Sequence, residues 1–116
     1  MSVRVTREDG TKVVVKVSFP GQPAAADALE YGNSLLVLDL GKGLKRLIER
    51  VEMREARPTS WDLGRTVKGR SLSAEVSSTG MTLTLRSDRS TSVATETCNL
   101  EDAKRIAEDL IAKSSQ

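Results

Sequence analysis

The sequence predicts an α+β fold, a mainly antiparallel sheet with one mid-chain helix and a C-terminal amphipathic helix packed on the sheet. Three observations predict it. Residues 72–76 and 81–85 alternate apolar and polar on either side of a short turn, residues 3–19 alternate around Glu8-Asp9-Gly10, and residues 100–111 set apolar side chains three and four apart. A chain of 116 residues buries one core without metal or disulfide staples, so 1–116 reads as a single domain.

The first hairpin is set by asking which register groups the valines. A three-residue loop, Glu8-Asp9-Gly10 with Gly10 left-handed, places Val5 opposite Val13 and Val3 opposite Val15. Arg4, Thr6, Lys12, Val14, Lys16 and Ser18 then face outward as a mildly basic surface. Pro20-Gly21-Gln22-Pro23 breaks the strand. Beyond it two readings stand: a short helix opened by Pro23 and ended at Gly32, or a strand through Asp27–Tyr31 turning at Gly32-Asn33. Residues 34–40 read as a strand covered on both faces, because Leu35, Leu36, Val37, Leu38 and Leu40 are interrupted only by Asp39.

Gly41-Lys42-Gly43 reads as a connector into a helix, for which Leu44, Leu47, Ile48 and Val51 supply the stripe. A strand over 44–55 would instead put Glu49 on the face of Leu47, Val51 and Met53. Pro58 disfavours helical geometry at Arg57, so the helix ends before it. Trp61, Leu63, Arg65 and Val67 then share one parity, which aims Arg65 at the core unless Gly64 marks a bulge or the guanidinium snorkels to a rim. After the Lys68-Gly69-Arg70 turn, the loop 77–80 pairs Val76 with Met81, Ala74 with Leu83 and Leu72 with Leu85. Over 91–97 a three-residue loop buries Val93, Thr95 and Thr97, and the other register buries Ser92, Ala94 and Glu96. The first is preferred because it buries no carboxylate, and so polar a strand belongs at an edge.

The last helix is the most strongly marked. Leu100, Ala103, Ile106, Ala107, Leu110 and Ile111 form its stripe, Asn99 suits the N-cap, Cys98 and Ala103 take the staple positions, and oppositely charged residues stand four apart on the far face. The strand-then-helix order of 35–51 returns at 93–111 as a similar architectural unit, without a sequence repeat.

Composition excludes several chemistries. With no histidine, the commonest general base, the usual triads and nearly all transition-metal sites are missing, so no catalytic residue, metal or cofactor is expected. Cys98 precedes a helix N-terminus, where a dipole can favour thiolate, yet it lacks a proton acceptor and reads first as a small apolar residue at a junction. Gly41-Lys42-Gly43 offers amides and a lysine to a phosphate but lacks P-loop spacing. A single cysteine, an N-terminal stretch that alternates apolar with charged residues, and no long aliphatic run lead to the expectation of a cytoplasmic chain without membrane insertion.

The net charge of +2 neither drives nor excludes an acidic partner, so any binding surface must be local. The candidate site is Trp61, Arg65, Arg70, Arg86 and Arg89, on or beside hairpins rich in Ser and Thr. The leading reading is a non-catalytic module acting on a protein partner, as an adaptor, inhibitor or immunity-type protein does. The alternative is a nucleic-acid or phosphate-backbone binder using that basic Ser/Thr-rich face, although three aromatic residues leave little for base stacking. Homo-oligomerisation through an edge strand is a further option. In outline the final hairpin and capped helix are similar to the end of pleckstrin-homology-like domains, and strands-then-helix resembles small whirly-type nucleic-acid binders. Both likenesses lie in element order and assign no residue a role.

Overall fold

The computed structural model describes residues 2–8, 12–19, 26–54, 57–89 and 91–114. Strands β1 (Ser2–Glu8), β2 (Lys12–Ser18) and β3 (Asp27–Tyr31) form one antiparallel sheet. Helix α1 (Ser34–Glu52) follows, then β4 (Thr59–Arg65), β5 (Ser71–Ser77), β6 (Gly80–Arg86) and β7 (Ser92–Cys98) form a second antiparallel sheet in sequence order. Helix α2 (Leu100–Ser114) closes the chain. The expected antiparallel pairing is present but divided between two sheets. The strand-then-helix unit expected at 35–51 is absent, since 34–52 is one helix, and what occurs twice is a meander followed by a helix.

The inner faces converge on one core. Val3, Val15, Val17 and Leu29 of the first sheet, Leu63, Leu72, Ala74, Met81 and Leu83 of the second, Leu40 and Leu44 of α1, and Ile106 and Leu110 of α2 surround a void of only about 20 Å³. Interiors packed this closely resist any change of side-chain volume.

Hairpin β5–β6 has the expected register, Val76 with Met81, Ala74 with Leu83 and Leu72 with Leu85, with Ser77 and Gly80 paired around the turn. The N-cap of α2 is also as read, since Asn99 Oδ1 accepts the Asp102 amide at 2.8 Å. Strand β3 settles the Asp27–Tyr31 alternative as a strand, while residues 20–25 lie outside the described ones.

Four expectations are corrected. In β1–β2 the partners are Val5 with Val15 and Val3 with Val17, and Glu8, expected in the loop, pairs with Lys12; residues 9–11, with the left-handed Gly10 expected there, lie outside the described ones. The face parity survives this shift because both ends of the pairing move together. Val14, expected to point to solvent, is buried, for β2 is the central strand and Val14 stands between Thr6 and Glu30. In β7 the pairing Leu85 with Ala94, Leu83 with Glu96 and Met81 with Cys98 puts Ala94 inward in place of Thr95 and Thr97. An irregularity between Leu85 and Arg86 absorbs the extra residue, and Glu96 is only half-buried at the edge, so the carboxylate escapes the full cost of burial.

The largest correction is α1. Residues 34–40 are helical, Asn33 Oδ1 caps the helix by accepting the Leu35 amide at 2.8 Å, and Gly41-Lys42-Gly43 lies in the helix interior. The glycines are there for contact. A β-carbon at Gly41 would stand 2.9 Å from Ile111 Cγ1, 3.0 Å from Leu110 Cβ and 3.1 Å from the Ala107 carbonyl, and one at Gly43 would enter the Trp61 ring. Each glycine costs the helix roughly 1 kcal/mol against alanine, a loss offset by letting α2 and Trp61 pack on bare backbone. At the far end of the pair, Lys104 Nζ meets Glu52 Oε1 at 2.6 Å, so the helices pass in opposite senses.

Candidate functional site

The five candidate residues separate into three environments. Gly64, at φ +116° with its amide on Asp62 Oδ1 at 3.0 Å, makes the β4 bulge that turns Arg65 out to solvent, one of the two resolutions offered by the sequence. Arg65, Ser71, Arg86 and Ser92 then form one cross-strand row on the outer face of the second sheet. Arg65 Nη1 reaches the Gly69 carbonyl at 3.5 Å, and exposed Arg89 lies in the β6–β7 connection at the same end. The rows beyond carry hydroxyls: Ser73, Thr84 and Thr95, then Thr82 and Thr97 with their oxygens 2.7 Å apart, beside the carboxylates of Asp62 and Glu75. This face is basic at one end and mixed elsewhere.

Arg70 belongs to a different feature. Its guanidinium lies 3.9 Å from Asp27 Oδ2, whose side chain is 1 % exposed. The same carboxylate accepts the Thr66 hydroxyl at 2.6 Å and the Ala28 amide at 2.8 Å. Val67 N donates to the Ala28 carbonyl at 2.9 Å and Lys68 Nζ to the Ala26 carbonyl at 2.8 Å. The β4–β5 connection therefore clasps the outer edge of β3, and Arg70 holds the two sheets together. Trp61 is half-buried against Gly43, as a core anchor.

A surface that the sequence reading missed lies on α1. With 34–52 one helix, Lys42, Arg46 and Arg50 follow at four-residue intervals along its exposed side, flanked by Lys45, Asp39 and Glu49. Like charges four apart oppose helix formation, and among the described residues none of the three cations is in an ion pair. At the ends of this line stand Leu35, Leu36 and Met53, 63 %, 57 % and 67 % exposed. Treating Gly41-Lys42-Gly43 as a connector hid the line; the signal for it was Asn33 as a cap followed by an unbroken 19-residue register.

The remaining chemistry is quiet. Burial pushes the Cys98 thiol up, Asp102 adds to this, and hydrogen bonds to backbone groups oppose it, so the thiolate is disfavoured at the helix start. The Gly41-Lys42-Gly43 amides are helix-interior groups and form no phosphate cradle. Among the described residues, no three His, Cys, Asp or Glu side chains converge where a metal ion could sit, and no helix is long and apolar enough to cross a membrane. The chain matches no protein-family model, no curated protein and no solved structure at a significant level.

Proposed function

We propose that the chain is a single-domain, non-catalytic binding module of the cytoplasm, and that it engages an acidic protein surface through the outer face of α1. The observation that supports this is the line Lys42, Arg46, Arg50 bounded by exposed Leu35, Leu36 and Met53. Interfaces favour Arg and Met, and exposed large apolar side chains beside cations that are in no ion pair among the described residues suit a partner that supplies both carboxylates and apolar contact. An adaptor, an inhibitor or an immunity-type protein works this way. The test is affinity capture from native extract with the wild type, Leu36→Ser and Arg46→Glu, each with and without nuclease. A protein retained after nuclease and lost with both variants supports the reading; equal recovery by the variants overturns it.

A second reading rests on the row Arg65, Ser71, Arg86 and Ser92 with Arg89 beside it, whose guanidinium and hydroxyl groups suit a phosphate backbone. It requires affinity for nucleic acid that falls steeply with salt and drops with Arg65→Ala or Arg86→Ala. Nuclease-sensitive recovery in the capture experiment would favour it over the first.

A further inference from the structure

The outer face of the first sheet carries a third cationic feature, apart from the α1 line and from the basic end of the second sheet. Arg4 and Lys16 are direct cross-strand partners, Arg4 on the edge strand β1 and Lys16 on the central strand β2. Like charges in that position repel, and a sheet that keeps them forgoes some stability. Lys16 is followed across the sheet by Ala28, whose short side chain leaves the surface low. Beyond Ala28 the clasp raises Val67 and Lys68. The result is an open groove of about 490 Å³ with Arg4 and Lys16 on one wall, Val67 and Lys68 on the other, and Ala26 and Ala28 along it.

Three properties make this more than a solvated basic face. Lys68 is already held, its ammonium donating to the Ala26 carbonyl at 2.8 Å, which leaves two further donors and less side-chain entropy to lose on binding. The carboxylate nearest the groove, Asp27, is turned inward and occupied by the Thr66 hydroxyl, the Ala28 amide and Arg70, so it offers the three cations no counter-ion. On the same face Glu30 is engaged by Lys12 at 3.2 Å, and among the described residues Arg4 and Lys16 are in no ion pair. Between the charges the surface is mostly apolar, formed by Val67 and the two alanines, with exposed Ser18 at its border.

The geometry points to a binding site for a phosphate monoester on an apolar or planar body, its dianion received by Arg4, Lys16 and Lys68 and its body laid along Ala26, Ala28 and Val67. A nucleotide and a phosphorylated side chain share this chemistry. Its failure would leave the α1 reading untouched, because the two surfaces have no residue in common.

Backbone amide NMR tests it at fixed ionic strength, with phenyl phosphate and adenosine monophosphate as probes on the wild type, Lys16→Gln, Lys68→Gln and, as control, Lys12→Gln. Glutamine at 68 retains a donor for the Ala26 carbonyl, and superposable spectra report the fold of each variant. The expected result is saturable shifts centred on Lys16, Ala28 and Val67. Affinity should weaken up to about fivefold in Lys16→Gln and in Lys68→Gln, the factor that follows from ~1 kcal/mol per partly exposed charge pair, and stay unchanged in Lys12→Gln. Tighter binding of the nucleotide assigns a nucleotide ligand, and tighter binding of phenyl phosphate a phosphorylated side chain. Unsaturable shifts spread over the basic surface, or equal affinity in all variants, would overturn the site.

Discussion

Gly41→Ala reads out why α1 carries glycines at its centre. The new methyl would lie 2.9 Å from Ile111 Cγ1, 3.0 Å from Leu110 Cβ and 3.1 Å from the Ala107 carbonyl oxygen. Only the first can swing away, since Leu110 Cβ and the carbonyl move only with the α2 backbone. Overpacking of this kind costs about 1–3 kcal/mol, and the rigid contacts argue for the upper half of that range. Alanine returns about 0.8–1.0 kcal/mol of helix propensity. The expected net is a loss of roughly 1–2 kcal/mol, seen as a lower urea midpoint with unchanged slope and a melting temperature several degrees lower. Gly41→Val, bulkier and with a smaller propensity gain, should lose more. A flexible connector at 41–43 predicts the opposite sign, a gain of about 0.4–1 kcal/mol from a less entropic unfolded chain. A Gly41→Ala protein as stable as wild type, or more so, refutes the helix contact.

Gly43→Ala should push the Trp61 ring off α1 and red-shift the emission of the sole tryptophan; unchanged emission would mean that the ring does not rest on that glycine. The Tyr31 phenol, donating to the Leu63 carbonyl at 2.8 Å, is pushed up to about 12, by burial first and the Asp62 charge second. Because the fold prefers the neutral form, this stability is whole below the ordinary value of 10.0 and is lost as pH climbs through 12. Phenolate absorbance should therefore rise near pH 12 in the native protein and near 10 in denaturant, and a native midpoint near 10 would contradict it. Asp27→Ala strands the Thr66 hydroxyl and the Ala28 amide at a cost of about 1–3 kcal/mol, and should speed hydrogen exchange at Val67, whose amide bonds to Ala28; unaltered exchange would show that the clasp does not depend on the carboxylate.

Features set by neighbours in the chain were legible in the sequence. The β5–β6 register needed only alternation and turn length, and the Asn99 cap only its own side chain. The parity of Trp61, Leu63 and Arg65 exposed an inconsistency with two resolutions, a bulge at Gly64 or a guanidinium snorkelling to a rim, and only the paired strands choose the bulge. What depended on distant partners was not. Leu35 and Leu36 gave 34–40 the look of a buried strand although both face solvent, and the glycines after them resembled a loop because their reason for being small lies in Ile111, Leu110 and Trp61. Glu96 misled in the other direction, since a carboxylate on the core side of a strand is tolerable at a sheet edge. Of the candidate site, Arg65, Arg86 and Arg89 gather at one end of a sheet, whereas Arg70 and Trp61 serve the fold. The α1 line and the groove beside Lys16 needed the assembled backbone to bring their residues together.

The clasp also bears on solubility. Every sheet edge is a row of unsatisfied amides and carbonyls on which a foreign strand can grow. Here the edges at β3 and β4 shield one another: Val67 and Lys68 occupy carbonyls at Ala28 and Ala26, and Tyr31 occupies the one at Leu63. Of the four sheet edges, those of β3 and β4 meet in one seam, which leaves the edges of β1 and β7. At β7 a fringe of Ser92, Thr95 and Thr97, with Glu96 among them, is poor material for the dry, low-charge stacking on which fibrils depend.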